Sequence, residues 1–135
     1  MSAELSISGD DLDKNDITDN VAIIEIKTPV KPIIEGEYRQ TYQFSSELVG
    51  SINQLLLQKD TLAKNYKSLV ADDDVYYRAT NIESVLVFGT VGKLDKRQKD
   101  AFENYRNELR SVRIIGFDEL LARVNNLLAL MEVHQ

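Results

Sequence analysis

Glu25 and Lys27 are separated by one apolar residue inside the run Val21-Ala22-Ile23-Ile24-Glu25-Ile26-Lys27-Thr28-Pro29. A β-strand alternates its side chains between two faces at about 3.3 Å per residue. The two charged groups therefore fall on one face about 6–7 Å apart, and Ile24 and Ile26 turn the other way into a core. A carboxylate and an ammonium on one surface suit two uses. They can hold a hard divalent cation beside a lysine that handles protons, or they can form a satisfied ion pair near a strand end.

The rest of the composition narrows the chemistry to carboxylates, lysines and amides. The 135 residues contain no cysteine, which excludes disulfides, thiolate nucleophiles and Cys-ligated metal sites. The single histidine, His134, stands at the C-terminal end, where neither a triad nor a His-rich metal site is expected. The sequence has no apolar run of about 18 residues and no basic stretch leading into an apolar core at Met1-Ser2-Ala3-Glu4, so no membrane span or signal peptide is read and a cytoplasmic location is expected. The net charge of −6 is unevenly spread, with six acids against one base in residues 1–20 and near-neutrality afterwards. A near-neutral body can still present a basic groove to DNA. Lys59, Lys64 and Lys67, and Lys93, Lys96, Arg97 and Lys99, are the candidates, each taken singly more readily read as part of a solvated helix face.

Two parts are expected, an acidic N-terminal segment over 1–20 and a folded domain over 21–135. Leu5–Ser8 has a short strand alternation, followed by an acidic connector. Val21–Lys27 is a strand stopped by Pro29 and Pro32, and residues 30–44 read as an irregular arm with Tyr38, Tyr42 and Phe44. Ser45 caps a helix to about Leu69 with a buried stripe at Leu48, Ile52, Leu55, Leu56, Leu62, Tyr66 and Leu69. A second row on that helix, Glu47, Gly50, Ser51, Gln54 and Gln58, is small and amide-rich. Gly50 costs a helix interior about 1 kcal/mol relative to Ala, which a close approach of strand or ligand would justify.

Asp72-Asp73-Asp74 lies in a tyrosine-bearing connection and lacks EF-hand spacing. Ser84–Phe88 reads as a central strand ending at Gly89. Asp95 and Gln98 form a capping box for a helix to about Leu109. Val112–Gly116 is a further strand, and Asp118 caps a last helix with Leu120, Leu121, Val124, Leu127, Leu128 and Met131 inward. The order predicts an α/β domain, a mixed β-sheet flanked by helices. Gly89-Thr90-Val91-Gly92-Lys93 follows a strand as a phosphate loop would, but GxxxxGK[ST] is absent.

In that order the motifs acquire a family likeness. A strand ending in Glu-x-Lys, then a helix with Gln, then another strand, resembles the PD-(D/E)XK restriction-endonuclease-like core. Ile24-Glu25-Ile26-Lys27-Thr28-Pro29, Ser45-Ser46-Glu47-Leu48 with Gly50-Ser51-Ile52-x-Gln54, Leu94-Asp95 through Phe102-Glu103, and Val112-x-Ile114-Ile115-x-Phe117-Asp118-Glu119-Leu120 together resemble the C-terminal nuclease domain of Shedu-type anti-phage defence proteins, over roughly residues 17–131. The resemblance implies a Mg²⁺ ion, with Mn²⁺ as a substitute, held by Glu25, the Ile26 carbonyl and an earlier acid, with Lys27 and Gln54 as the catalytic side chains acting on DNA. The family spacing sets that acid at Asp10, on a shortened motif strand and loop, and the usual first helix of the fold is not legible. The resemblance also implies a homo-oligomer. Two other readings stay open: an inactive nuclease-fold remnant serving as a DNA-binding or oligomerisation module, and a protein-interaction domain anchored by Tyr38, Tyr42, Tyr76 and Tyr77.

Overall fold

The computed structural model describes residues 3–7, 22–70 and 82–133. Six strands and three helices follow in the order β1 (Ala3–Ile7), β2 (Ala22–Ile26), β3 (Ile34–Tyr38), β4 (Thr41–Phe44), α1 (Ser46–Val70), β5 (Glu83–Val87), α2 (Lys96–Glu108), β6 (Arg113–Ile115) and α3 (Phe117–Val133). The expected mixed sheet is present, with strand order β1-β2-β5-β6, antiparallel between β1 and β2 and parallel beyond. The parallel pairings require long crossovers, and α1 and α2 supply them.

The core lies on the sheet face that α1 and α2 cover. Leu48, Ile52 and Leu55 of α1 meet Leu86, Phe88 and Ile114 of the sheet and Phe102 of α2, all buried. Phe44 stacks on Tyr105 with ring centroids 4.1 Å apart, fastening β4 to α2. Ser45 caps α1 as the sequence predicts, its hydroxyl accepting from the Leu48 N–H at 3.1 Å. The Asp95–Gln98 capping box is likewise formed, each side chain accepting from the other residue's backbone N–H.

Four local expectations are corrected. Residues 30–44 hold a β-hairpin where an irregular arm was expected. Its turn, Tyr38-Arg39-Gln40-Thr41, lacks the Asn-Gly or Asp-Gly signal and instead places Arg39 at φ 45°, while the register shifts beside Gly36. The faces of β2 are reversed: Glu25 is the buried residue on the helix-covered side, and Ile24 and Ile26 are half-buried. Leu56 is exposed and Leu62 only half-buried, so among the described side chains, which exclude Tyr66 and Leu69, the closed part of the α1 stripe is its first three turns. On α3, Leu121, Val124, Leu127, Leu128 and Met131 are exposed. Helical periodicity identifies an apolar stripe but not what covers it, and α3 docks through its first turn, where Phe117–Leu120 are half-buried.

Candidate functional site

β2 delivers its two charged residues to the side of the sheet under α1. Glu25 is 1% exposed, and its Oε1 accepts an ion-paired hydrogen bond from Lys27 Nζ at 2.9 Å. Lys27 Nζ reaches back along the strand, while its backbone N–H continues the parallel ladder to the Val87 carbonyl at 2.8 Å. Glu25 Oε2 is buried with no hydrogen-bond partner among the described residues, and so is Thr28 Oγ1. A buried carboxylate usually has both oxygens satisfied, because an orphaned acceptor costs about 1–3 kcal/mol.

Lys27 and Thr28 open into a cavity of about 490 Å³ between the end of β2 and the first turns of α1. Lys31, Glu47, Gly50, Ser51 and Gln54 complete its lining. This is the small and amide row anticipated on α1, with Gln54 facing the same space as Lys27. Around Gly50 no other element among the described residues comes within 4 Å of where a Cβ would stand, so the expected close approach of another strand is not what the glycine serves. The space beside it is the cavity. Lys31 Nζ donates to Glu47 Oε1 at 2.6 Å on the rim, and Ser51 Oγ donates to the Glu47 carbonyl at 2.7 Å, fixing that helix face.

The structure thus brings Glu25, Ile26, Lys27 and Gln54 to one region. Asp10 lies outside the described residues, as do Asp72-Asp73-Asp74, Tyr76, Tyr77 and His134. The pairing of β1 with β2 points to a residue that sequence reasoning passed over: Glu4 is directly opposite Glu25 in the antiparallel register. Directly opposed positions of such a pair share one face of the sheet. The signal was present in Ala3-Glu4-Leu5-Ser6-Ile7, whose alternation extends two residues further toward the N-terminus than Leu5–Ser8.

The glycine loop after β5 has a different task. The Val91 and Gly92 N–H groups donate to the two oxygens of Asp118, at 3.0 and 2.8 Å. Burial would raise the Asp118 pKa, but these donors outweigh it and hold the carboxyl below its ordinary value. An anion-binding turn of this kind is already occupied by the protein's own carboxylate, which is why it does not act as a phosphate loop.

What the fold and the site define is an α/β domain with a buried carboxylate on an inner strand, paired with a lysine that lines a polar cleft beside a helix. Residues 8–121 match the family described as Shedu protein SduA, C-terminal. The chain is 35% identical over 128 residues to the Shedu protein SduA of Bacillus cereus (strain B4264), a match that covers 87% of this chain and 33% of that protein. It belongs to the Shedu SduA C-terminal family, and it spans about a third of the length of the curated relative it matches.

Proposed function

We propose that this chain is a metal-dependent DNA endonuclease domain of the PD-(D/E)XK kind, hydrolysing phosphodiester bonds in anti-phage defence. The observation that carries the reading is Glu25, a carboxylate 1% exposed with one oxygen unpartnered among the described residues and the other paired with Lys27, which lines a 490 Å³ cleft. Buried carboxylates with a spare oxygen fit a hard divalent ion, which prefers oxygen donors. Glu25 and the Ile26 carbonyl would hold Mg²⁺ or Mn²⁺, with Glu4 or Asp10 as the second carboxylate; Glu4 is favoured by its register opposite Glu25. Such an ion supplies charge neutralisation at a scissile phosphate and lowers the pKa of water.

The protein's own groups account for the remainder. Lys27 Nζ, anchored by Glu25 Oε1, orients the attacking water and the phosphate through its other N–H donors. Gln54 donates from the facing helix and fixes the phosphate or the water against Lys27. Thr28 Oγ1, buried and unpartnered, adds a donor at the same wall.

A second reading, an inactive nuclease-fold remnant that binds DNA or mediates oligomerisation, follows if neither Glu4 nor Asp10 supplies the second carboxylate. Cleavage of linear and plasmid DNA with Mg²⁺ or Mn²⁺ separates the two. The nuclease reading expects wild type to cut and Glu25→Ala and Lys27→Ala to be inert. If all three are inert yet retard DNA in a gel, the remnant reading holds. Calorimetric Mn²⁺ titration of Glu4→Ala and Asp10→Ala identifies the second carboxylate by which variant weakens binding. Homo-oligomerisation is part of the proposal, supported by the exposed apolar stripe of α3, and sedimentation of the chain tests it.

No helix among the described residues is long and apolar enough to cross a membrane.

A further inference from the structure

At the other edge of the sheet, a cavity of about 380 Å³ lies between the end of α2, β6 and the outer face of α3. Its guanidinium groups differ in how they are employed. Arg106 is committed: its Nη1 and Nη2 bind the two oxygens of Glu119, and it also pairs with Glu103. Arg110, Arg113 and Arg123 line the same cavity and have no ion pair among the described residues. They come from three different elements, the loop after α2, strand β6 and helix α3. Arg106 is shared between Glu103 and Glu119, which leaves one surplus negative charge at the wall, so the three arginines are offset by one and about two positive charges remain.

A surplus of positive charge around one concavity is at odds with a chain whose net charge is −6. Beneath them Val112 and Ile114 are buried and dry, which strengthens any charge interaction made above. The planar fork of arginine matches the oxygens of phosphate two at a time, and the volume is in the range of a small-ligand pocket. An added peptide strand fits less well, since the Ile114 carbonyl at the open edge of β6 already accepts from Arg106 Nη1 at 3.3 Å.

We infer that this cavity is a phosphate-binding site, in which Arg110, Arg113 and Arg123 grip the oxyanions of a phosphorylated ligand. It is separated from Glu25 and Lys27 by strand β5, and it stands independently of the nuclease reading. The phosphate has two sources: a free phosphoanhydride compound, or the backbone of a nucleic acid passing the sheet edge.

Calorimetric titration of the full chain with inorganic pyrophosphate, and separately with a short duplex lacking terminal phosphates, tests this. The variants are Arg113→Gln/Arg123→Gln, both at exposed positions, and Lys27→Met as the control for the other cleft. The expected result is saturable binding weakened at least tenfold in the arginine double variant. Retention of pyrophosphate binding by Lys27→Met places it in this cavity and marks the free compound as the source. Binding of the duplex alone, lost in the arginine variant, marks the backbone. No saturable binding of either probe, or equal binding by wild type and the folded arginine variant, overturns the inference. So does pyrophosphate binding abolished only by Lys27→Met.

Discussion

The junction of α2 and α3 and the cleft beside β2 are both built from charged groups at the margin of the same core, yet they treat hydrogen-bonding capacity oppositely. At the junction, Arg106 binds both oxygens of Glu119, at 2.6 and 2.9 Å, and lies over the Phe102 ring at 4.9 Å. The Gly116 N–H donates to Glu119 Oε1 at 3.0 Å, and the Phe117 N–H closes onto the Gly89 carbonyl at 2.8 Å. Arg106, Glu119 and Glu103 are all partnered within the chain, so this network braces the fold, and only the unpaired arginines beside it are left for a ligand. Beside the cleft, Glu25 Oε2 and Thr28 Oγ1 are buried with no hydrogen-bond partner among the described residues. Polar capacity withheld from the fold is what a binding site retains, and the two regions should therefore respond to mutation in different currencies, stability in one and activity in the other.

The largest expected effect lies in the cleft. If the proposed nuclease reading holds, Lys27→Ala should lower DNA cleavage about 10²–10⁴-fold, the usual worth of a positioned proton-handling group. It also strands the buried Glu25 carboxylate, at about 3 kcal/mol, so loss of activity alone is ambiguous. The double variant Glu25→Leu/Lys27→Met separates the causes: removing both members of a buried pair is typically neutral or stabilising. Its melting temperature should match or exceed that of wild type while cleavage is absent. A double variant that unfolds would make the pair a brace like Arg106 and erase the contrast.

Next in size is Arg106→Ala, expected to cost about 3 kcal/mol in chemical denaturation, because Glu119 and Glu103 lose their shared cation and the Ile114 carbonyl loses a donor. Cleavage per folded molecule should be unchanged. Gly89→Ala follows, at about 2 kcal/mol: the residue has φ +66°, and a Cβ would meet the Ile33 side chain at 2.7 Å and the Lys31 carbonyl at 3.1 Å. Since Lys31 is on the cleft rim, this substitution should raise KM more than it lowers kcat, the one expected crossover between the two regions.

How much of this was legible in the sequence follows from the range of each signal. The strand–helix alternation, the Ser45 cap and the Asp95–Gln98 box are written in residues one to four apart, and the structure has them. Glu25 and Lys27 were legible as a pair, whereas the face they occupy was not, since alternation says that two faces differ without saying which one α1 will cover. Glu4 escaped because its meaning depends on a register set by residues about twenty positions away. The β3–β4 hairpin escaped because its turn has Arg39, not glycine or asparagine, at positive φ. The committed network of Arg106 and the uncommitted arginines beside it are indistinguishable in sequence, because commitment is decided by tertiary distance to Glu119.

The smallest effect tests the junction by titration. Arg106 lowers the Glu119 pKa by hydrogen bonding, the Gly116 N–H adds to this, and burial opposes it only in part. A carboxyl whose pKa is depressed by folding contributes stability that is present above its unfolded value, about 4.5, and is lost as pH falls through the lower folded value. Asp118 behaves in the same sense, held down from 3.8 by the Gly92 and Val91 N–H donors against its burial. Denaturation midpoints should therefore be flat from neutral pH to about 5 and decline below about 4.5. Glu119→Gln should be less stable at pH 7 but show a shallower acid decline, because the proton-linked part of the junction has been removed. An acid decline as steep in Glu119→Gln as in wild type would place the linkage in other carboxylates and reduce the junction's bracing to packing and neutral hydrogen bonds.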